Sequence, residues 1–199
     1  MNVLDDAWAY LTTWSNWTGD RGMLHLLTQQ LLLTVTALAI ALVIGLPVAL
    51  WLGHLGRGGF LAINISNIGR AVPTFALLAI LVRSMLEGLR GVPDEVVESA
   101  RGLGYGAGRL LFRVELPLAL PVIMAGLRVA TVSTVALTTV GSLVAYGGLG
   151  NLIKDGVNTN FRAELFTAAV LCVLLAVALD ALIVLTQWLL TPWTHGNTG

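Results

Sequence analysis

Three apolar runs, 24–51, 117–144 and 166–190, restrict this chain more than any other feature in it. A helix needs about 20 apolar residues to cross the hydrocarbon core of a bilayer, and each run is long enough even when tilted. Backbone N–H and C=O groups in lipid must pair within the segment, so such runs become helices. Composition agrees, with 56% hydrophobic and 11% charged residues against the roughly 25% charged of soluble domains. The expected fold class is all-α integral membrane, a single domain over 1–199. Zero net charge gives no reason to expect nucleic acid as a partner. Cys172, the only cysteine, lies in an apolar run and offers neither a disulfide framework nor a cysteine metal cluster.

Orientation follows from the charges and aromatics around the runs. Residues 1–23 mix Trp8, Tyr10, Trp14 and Trp17 with Asp5, Asp6, Asp20 and a single Arg21, which suits the headgroup zone of the outer face. The start, Met-Asn-Val-Leu-Asp-Asp, lacks the basic opening of a cleaved signal peptide, so insertion is expected to rely on the first span. The glycine-rich loop 53–59, with His54 and Arg57, is expected inside. Beyond it, 60–82 contains Asn64, Asn67, Arg70 and Pro73. An arginine at mid-span costs at least ~2.5 kcal/mol on insertion scales, so 60–70 is expected at the surface and the membrane part near Val72. The eleven residues 72–82 then cover about 16 Å, roughly half the core. Arg57 on one side and Arg83, Arg90, Arg101, Arg109 and Arg113 on the other all favour the cytoplasm, which demands an even number of crossings between them. A partial span over 72–82 does not supply it. A re-entrant hairpin turning at Pro73 and buried in protein would.

The stretch 83–116 is polar by contrast and is expected as a cytoplasmic loop. Val92-Pro93-Asp94-Glu95 opens a helix, since proline suits the first turn and carboxylates suit the positive end of the dipole. Gly102 and Gly104 can close it. Val96, Val97, Ala100 and Leu103 fall on one face. A second short helix is expected over 107–114, ending because Pro117 pushes Leu116 out of the α region.

Within this stretch Glu98-Ser99-Ala100 is followed after three residues by Gly104 and after nine more by Val114-Glu115-Leu116-Pro117. That spacing resembles the EAA loop of permease subunits in bacterial ABC importers, departing only in Ser99 for alanine and Val114 for isoleucine. An ordinary amphipathic interfacial helix would leave the spacing unexplained. The resemblance implies a type I ABC importer (MetI-like) transmembrane domain whose loop docks in a groove of an ATPase. Glu98, Ser99, Ala100, Gly104, Val114, Leu116 and Pro117 would then be the coupling residues. It further implies ABC ATPase subunits that hold the ATP and Mg, no cofactor or metal in this chain, a second permease copy or paralogue, and an extracytoplasmic solute-binding protein. The setting would be the bacterial plasma (inner) membrane, crossed several times, with the N-terminus outside and the coupling loop and C-terminus cytoplasmic. In such permeases Arg-x-x-Pro-x-x-x-Leu-Leu begins a full span, and a turn and second span precede the loop. Here Leu81-Val82 runs straight into Arg83, so about 30 residues are expected to be missing near Val82, through a shortened chain, an omitted segment or a real deletion.

On the span 117–144, Arg128, Thr131, Thr134, Thr138 and Ser142 share one stripe, which reads either as a wall of the translocation path or as helix packing through hydroxyls. Asp180, at mid-depth in the last span, is expected to face the bundle and pair, with Arg128 or Arg70 as partner. Arg70 and Asp180 join the stripe as candidates for the path. The Tyr146-Gly147-Gly148-Leu149-Gly150 turn is not a phosphate loop, because no Gly-Lys-Ser/Thr follows. Together with the 70–78 run and the 88–92 lead into the loop, it looks most like permeases for glycine betaine, carnitine and choline. That resemblance implies an importer of small quaternary-amine osmoprotectants, with a methionine or amino-acid importer, or a transport-inactive membrane scaffold, as alternatives. An intramembrane enzyme is not expected: His25, His54 and His195 sit at segment ends and in the tail, and neither His-Glu-x-x-His nor Gly-x-Ser-x-Gly occurs.

Overall fold

The computed structural model describes residues 3–54, 73–144 and 147–194, and those residues form helices and turns without a strand. In chain order the helices are α1 (Val3–Thr12), α2 (Met23–His54), α3 (Pro73–Arg90), α4 (Asp94–Gly102), α5 (Ala107–Leu110), α6 (Leu116–Val144), α7 (Leu149–Asn158) and α8 (Arg162–Leu190). One π turn, Leu111–Glu115, joins α5 to α6. Three stretches are long and apolar enough to cross a membrane, Met23–Leu50, Ala107–Ser142 and Arg162–Leu190, and they contain most of the three runs read from the sequence. The chain divides into two compact units, Met1–Ala39 with Thr131–Asp180, and Ile40–Ala130 with Ala181–Gly199.

The first unit is organised around Met23, Leu26, Leu149, Leu152, Ala168 and Leu171, with Tyr10, Leu11 and Trp17 packed against them. Two short helices, α1 and α7, thereby seat on the beginnings of α2 and α8. Trp17 Nε1 donates to Leu11 O at 2.6 Å and closes the 3-10 turn after α1. Tyr10 Oη donates to Glu164 Oε1 at 3.2 Å, and its ring meets Phe161 edge-on at 5.9 Å. Burial, and then the nearby Glu164 carboxylate, push the Tyr10 phenol up to about 12. The folded value lies above the ordinary one, so this contact is fully present below pH 10 and is lost as pH rises toward 12. Tyr10 should therefore ionise well above the ordinary tyrosine range. Tyr10→Phe should remove an absorbance rise centred near pH 12, and a rise that persists unchanged would refute the assignment.

In the second unit α3 packs on α2 and α6. Ala49, Val82, Met85 and Leu86 form the core, with Leu42, Leu78 and Ile123 beside it. Gly45 of α2 lets Leu78 approach, its missing Cβ lying 3.2 Å from that side chain. On α6, Gly126 seats directly against Ser84, and Gly88 of α3 lies against Ala119 and Ile123. Small residues at Ser84 and Gly88, four apart on α3, make this close approach possible.

The sequence reading placed the membrane part of this segment over 72–82; the helix that carries it, α3, has 18 residues, about 27 Å at the helical rise, and continues past Arg83 to Arg90. Arg83 does not break it because it points away from the core and pairs with Glu87 one turn on, at 2.7 Å, both side chains being exposed. Pro73 opens α3, where a missing N–H is harmless. Residues 55–72, and with them Arg70 and the first arm of any re-entrant hairpin, lie outside the described residues.

Pro117 likewise does not end the helix before it. Leu116 is helical, with φ −64° and ψ −44°, and its N–H bonds to Leu111 O, five residues back. That wider π turn loosens the backbone immediately ahead of the proline, whose ring would otherwise press on the carbonyl four residues earlier. The helical path thus runs without interruption from Ala107 into α6.

Candidate functional site

The loop between α3 and α6 owes its shape to two backbone devices. At the start of α4, Pro93 is the N-cap in extended conformation, and its carbonyl accepts from Val96 N at 3.0 Å and Val97 N at 3.3 Å. Asp94 and Glu95 fill the first turn, where their charge suits the dipole. At the other end Gly104 has φ +82°; its N–H bonds to Arg101 O at 2.9 Å, and Tyr105 N–H bonds to Ala100 O at 3.2 Å. These two bonds define a Schellman motif with Gly104 at its left-handed position. The separation of Ala100 from Gly104 is thus the separation of the two ends of a helix cap. Gly102, expected to share the closing role, is the last residue of α4.

The side chains follow from that frame. Ala100 turns inward and is 7% exposed, whereas Leu103 is 80% exposed, so the apolar face read from the sequence is only partly used by the chain itself. Glu98 and Ser99 are exposed, and Ser99 Oγ donates to Glu95 O at 2.7 Å. The Arg109 guanidinium lies over the Tyr105 ring at 5.8 Å. A shallow groove of about 460 Å³ is lined by Glu95, Val96, Ser99, Ala100, Leu103, Tyr105 and Val114. It brings Ser99, Ala100 and Val114 of the expected coupling residues to one place. Leu116 and Pro117 are half-buried at the start of α6.

The stripe on α6 lies largely inside the chain. Thr131, Thr134 and Ser142 are buried in the chain, and Thr138 accepts a hydrogen bond from Gln30 Nε2 at 2.7 Å. Arg128 on α6 and Asp180 on α8 are each half-buried. Gln29 and Gln30, which organise this region, were missed by the sequence reading. The signal was there: two adjacent amides in an apolar run require partners, and only other segments can supply them.

Long apolar helices joined by a glycine-capped polar loop are the architecture of a multi-pass helical membrane protein. The comparison with known proteins makes this specific. Residues 82–195, more than half of the chain, match the model of the binding-protein-dependent transport system inner membrane component, and the chain belongs to that family. It is similar to the choline transport system permease protein OpuBD of Bacillus subtilis (strain 168), 29% identical across 100% of this chain and 96% of that protein. It is also similar to the glycine betaine/carnitine/choline transport system permease protein OpuCB of the same organism, 26% identical over 88% and 91% of the two chains. The glycine betaine/proline betaine transport system permease protein ProW of Escherichia coli (strain K12) is 29% identical over 76% of this chain and 49% of its own length. The alignment with OpuBD runs over 223 positions and this chain has 199 residues, so 24 positions, the difference, have no residue here. The family match begins at Val82, beside the expected shortfall.

Proposed function

We propose that this chain is the membrane-spanning permease subunit of an ATP-driven importer for small quaternary-amine osmoprotectants such as glycine betaine, choline and carnitine. The observation that carries this reading is the family match over 82–195, together with full-length similarity to a choline permease. ATP and Mg belong to separate ATPase subunits, solute is delivered by an extracytoplasmic binding protein, and a second permease copy or paralogue completes the pathway. The N-terminus lies outside; the loop holding α4 and the C-terminus are cytoplasmic.

In this reading the groove of α4 is where the ATPase docks, and Glu98, Ser99, Ala100, Gly104, Val114, Leu116 and Pro117 transmit its movement. The continuous helical path from Ala107 into α6 supports that role, because it joins the loop to the span with no intervening coil. Arg70, Arg128, Thr131, Thr134, Thr138, Ser142 and Asp180 are proposed for the translocation path in a state more open than the one described. The test is reconstitution with an ATPase and a binding protein in liposomes, with labelled choline or glycine betaine outside. ATP-dependent uptake of either is expected. Uptake of methionine alone would move the substrate to amino acids, and ATP hydrolysis that ignores added solute would mark a transport-inactive scaffold.

Leu103 provides a direct check on docking. Burial of a leucine at an interface is worth about 2 kcal/mol, or roughly thirtyfold in affinity. Leu103→Glu should weaken ATPase co-purification by at least that factor while leaving the amount of inserted protein unchanged, since the side chain touches little of its own chain. Unchanged co-purification removes Leu103 from the interface.

A further inference from the structure

Gln30 is 0% exposed in an apolar helix, and both ends of its amide are engaged. Its Nε2 donates to Thr138 Oγ1 at 2.7 Å, Thr139 Oγ1 at 3.0 Å and Val135 O at 3.2 Å, all on α6. Its Oε1 accepts from Leu149 N–H, the first residue of α7, at 3.2 Å. The neighbouring Gln29 Oε1 accepts from Gly148 N–H at 3.0 Å. α7 starts without a capping side chain of its own, so α2 supplies the acceptors its first turn needs. Gly148 has φ +76°, and a Cβ there would run into Gln30 Oε1, which fixes a glycine at the point of contact. On the far side Thr139 Oγ1 lies 3.5 Å from Cys172 Sγ of α8.

One amide therefore ties α2, α6 and α7 directly and reaches α8 through Thr139. Because Thr138 and Thr139 accept from Gln30, their own protons go to backbone carbonyls: Thr138 to Thr134 O at 2.8 Å and Thr139 to Val135 O at 2.7 Å. The Thr138 and Thr139 hydroxyls are thus engaged on both sides, by Gln30 and by their own helix backbone, and Thr134 one turn earlier is fully buried.

We propose that Gln30 is a positioning residue for transport: the latch that holds the hydroxyl row of α6 shut against α2 and α7, and that opens during turnover to admit water to the row. The proposal rests on the transport reading, and a lost buried hydrogen bond of ordinary strength shifts such a closed-to-open balance about tenfold.

The test uses the full complex in liposomes, with Cys172→Ser to remove the native thiol and Thr134→Cys as reporter, probed with a small water-soluble methanethiosulfonate. With Gln30 intact, labelling is expected to be slow at rest and faster when ATP, binding protein and choline are added. Gln30→Leu, which can neither donate nor accept, should label roughly tenfold faster at rest. An unchanged resting rate overturns the latch. If Gln30→Leu does not accumulate, Thr139→Val removes one of the acceptors and should raise the resting rate severalfold; a rate equal to that of the unaltered latch again overturns it. The resting comparison needs no uptake, whereas absent ATP-driven uptake by the wild-type complex sinks the transport reading, so the two fail separately.

Discussion

Gly104→Ile is expected to insert and accumulate normally, to leave ATP hydrolysis by the partner running, and to reduce solute uptake by roughly tenfold or more. The reason is conformational. Gly104 has φ +82° and nothing within 4 Å of the position a Cβ would take, so an added side chain meets no neighbour. What it meets is its own backbone: the left-handed region costs an L-residue roughly 1–2 kcal/mol, and a β-branched one more. The chain can avoid that cost by unwinding the cap, which breaks the bonds from Gly104 N to Arg101 O and from Tyr105 N to Ala100 O. The groove of α4 then loses its defined edge while the cores of both units stay untouched. Gly104→Asn, which tolerates this conformation best among the substitutions, should retain most uptake, and Gly104→Ala should lie between. Normal uptake in the isoleucine variant would separate the cap from coupling.

The same loop shows what could be read from the chain and what could not. The Pro93-Asp94-Glu95 opening, the periodicity and the closing glycines placed α4 correctly, because helix ends are local devices that leave local signatures. The three long spans were legible for a similar reason, since lipid enforces helices on any run of that length and apolarity. Pro117 misled because it was read by its usual cost, which the π turn just ahead of it absorbed. Arg83 was read by its preference for the cytoplasm, which does not say where a helix stops: α3 runs on to Arg90, with Arg83 paired to Glu87 one turn along the same helix. The threonine stripe was seen as polar, but its closure against Gln30 needs a partner 105 residues or more away in the chain.

Gly126 carries the largest expected effect on stability. A Cβ on Gly126 would overlap Ser84 Cβ and Oγ, so even Gly126→Ala forces a shift between α3 and α6. Overpacking of this kind costs about 1–3 kcal/mol, and Gly126→Leu, which cannot be relieved by a small shift, should fail to accumulate as folded protein. Gly141 on the same helix is the control. It is exposed with open space around it, so Gly141→Ala should be neutral or slightly stabilising. The decisive variant pairs the sites. With Ser84→Gly the nearest remaining atom to an alanine Cβ at 126 is the Cα of residue 84, at 3.7 Å, an ordinary contact. Ser84→Gly with Gly126→Ala should therefore recover most of the melting temperature lost by Gly126→Ala alone, less the roughly 0.5–1 kcal/mol that a second helical glycine costs. A double variant no more stable than the single one would mean that α3 and α6 do not meet at this crossing. α3 would then rest on α6 through Gly88 against Ala119 and Ile123.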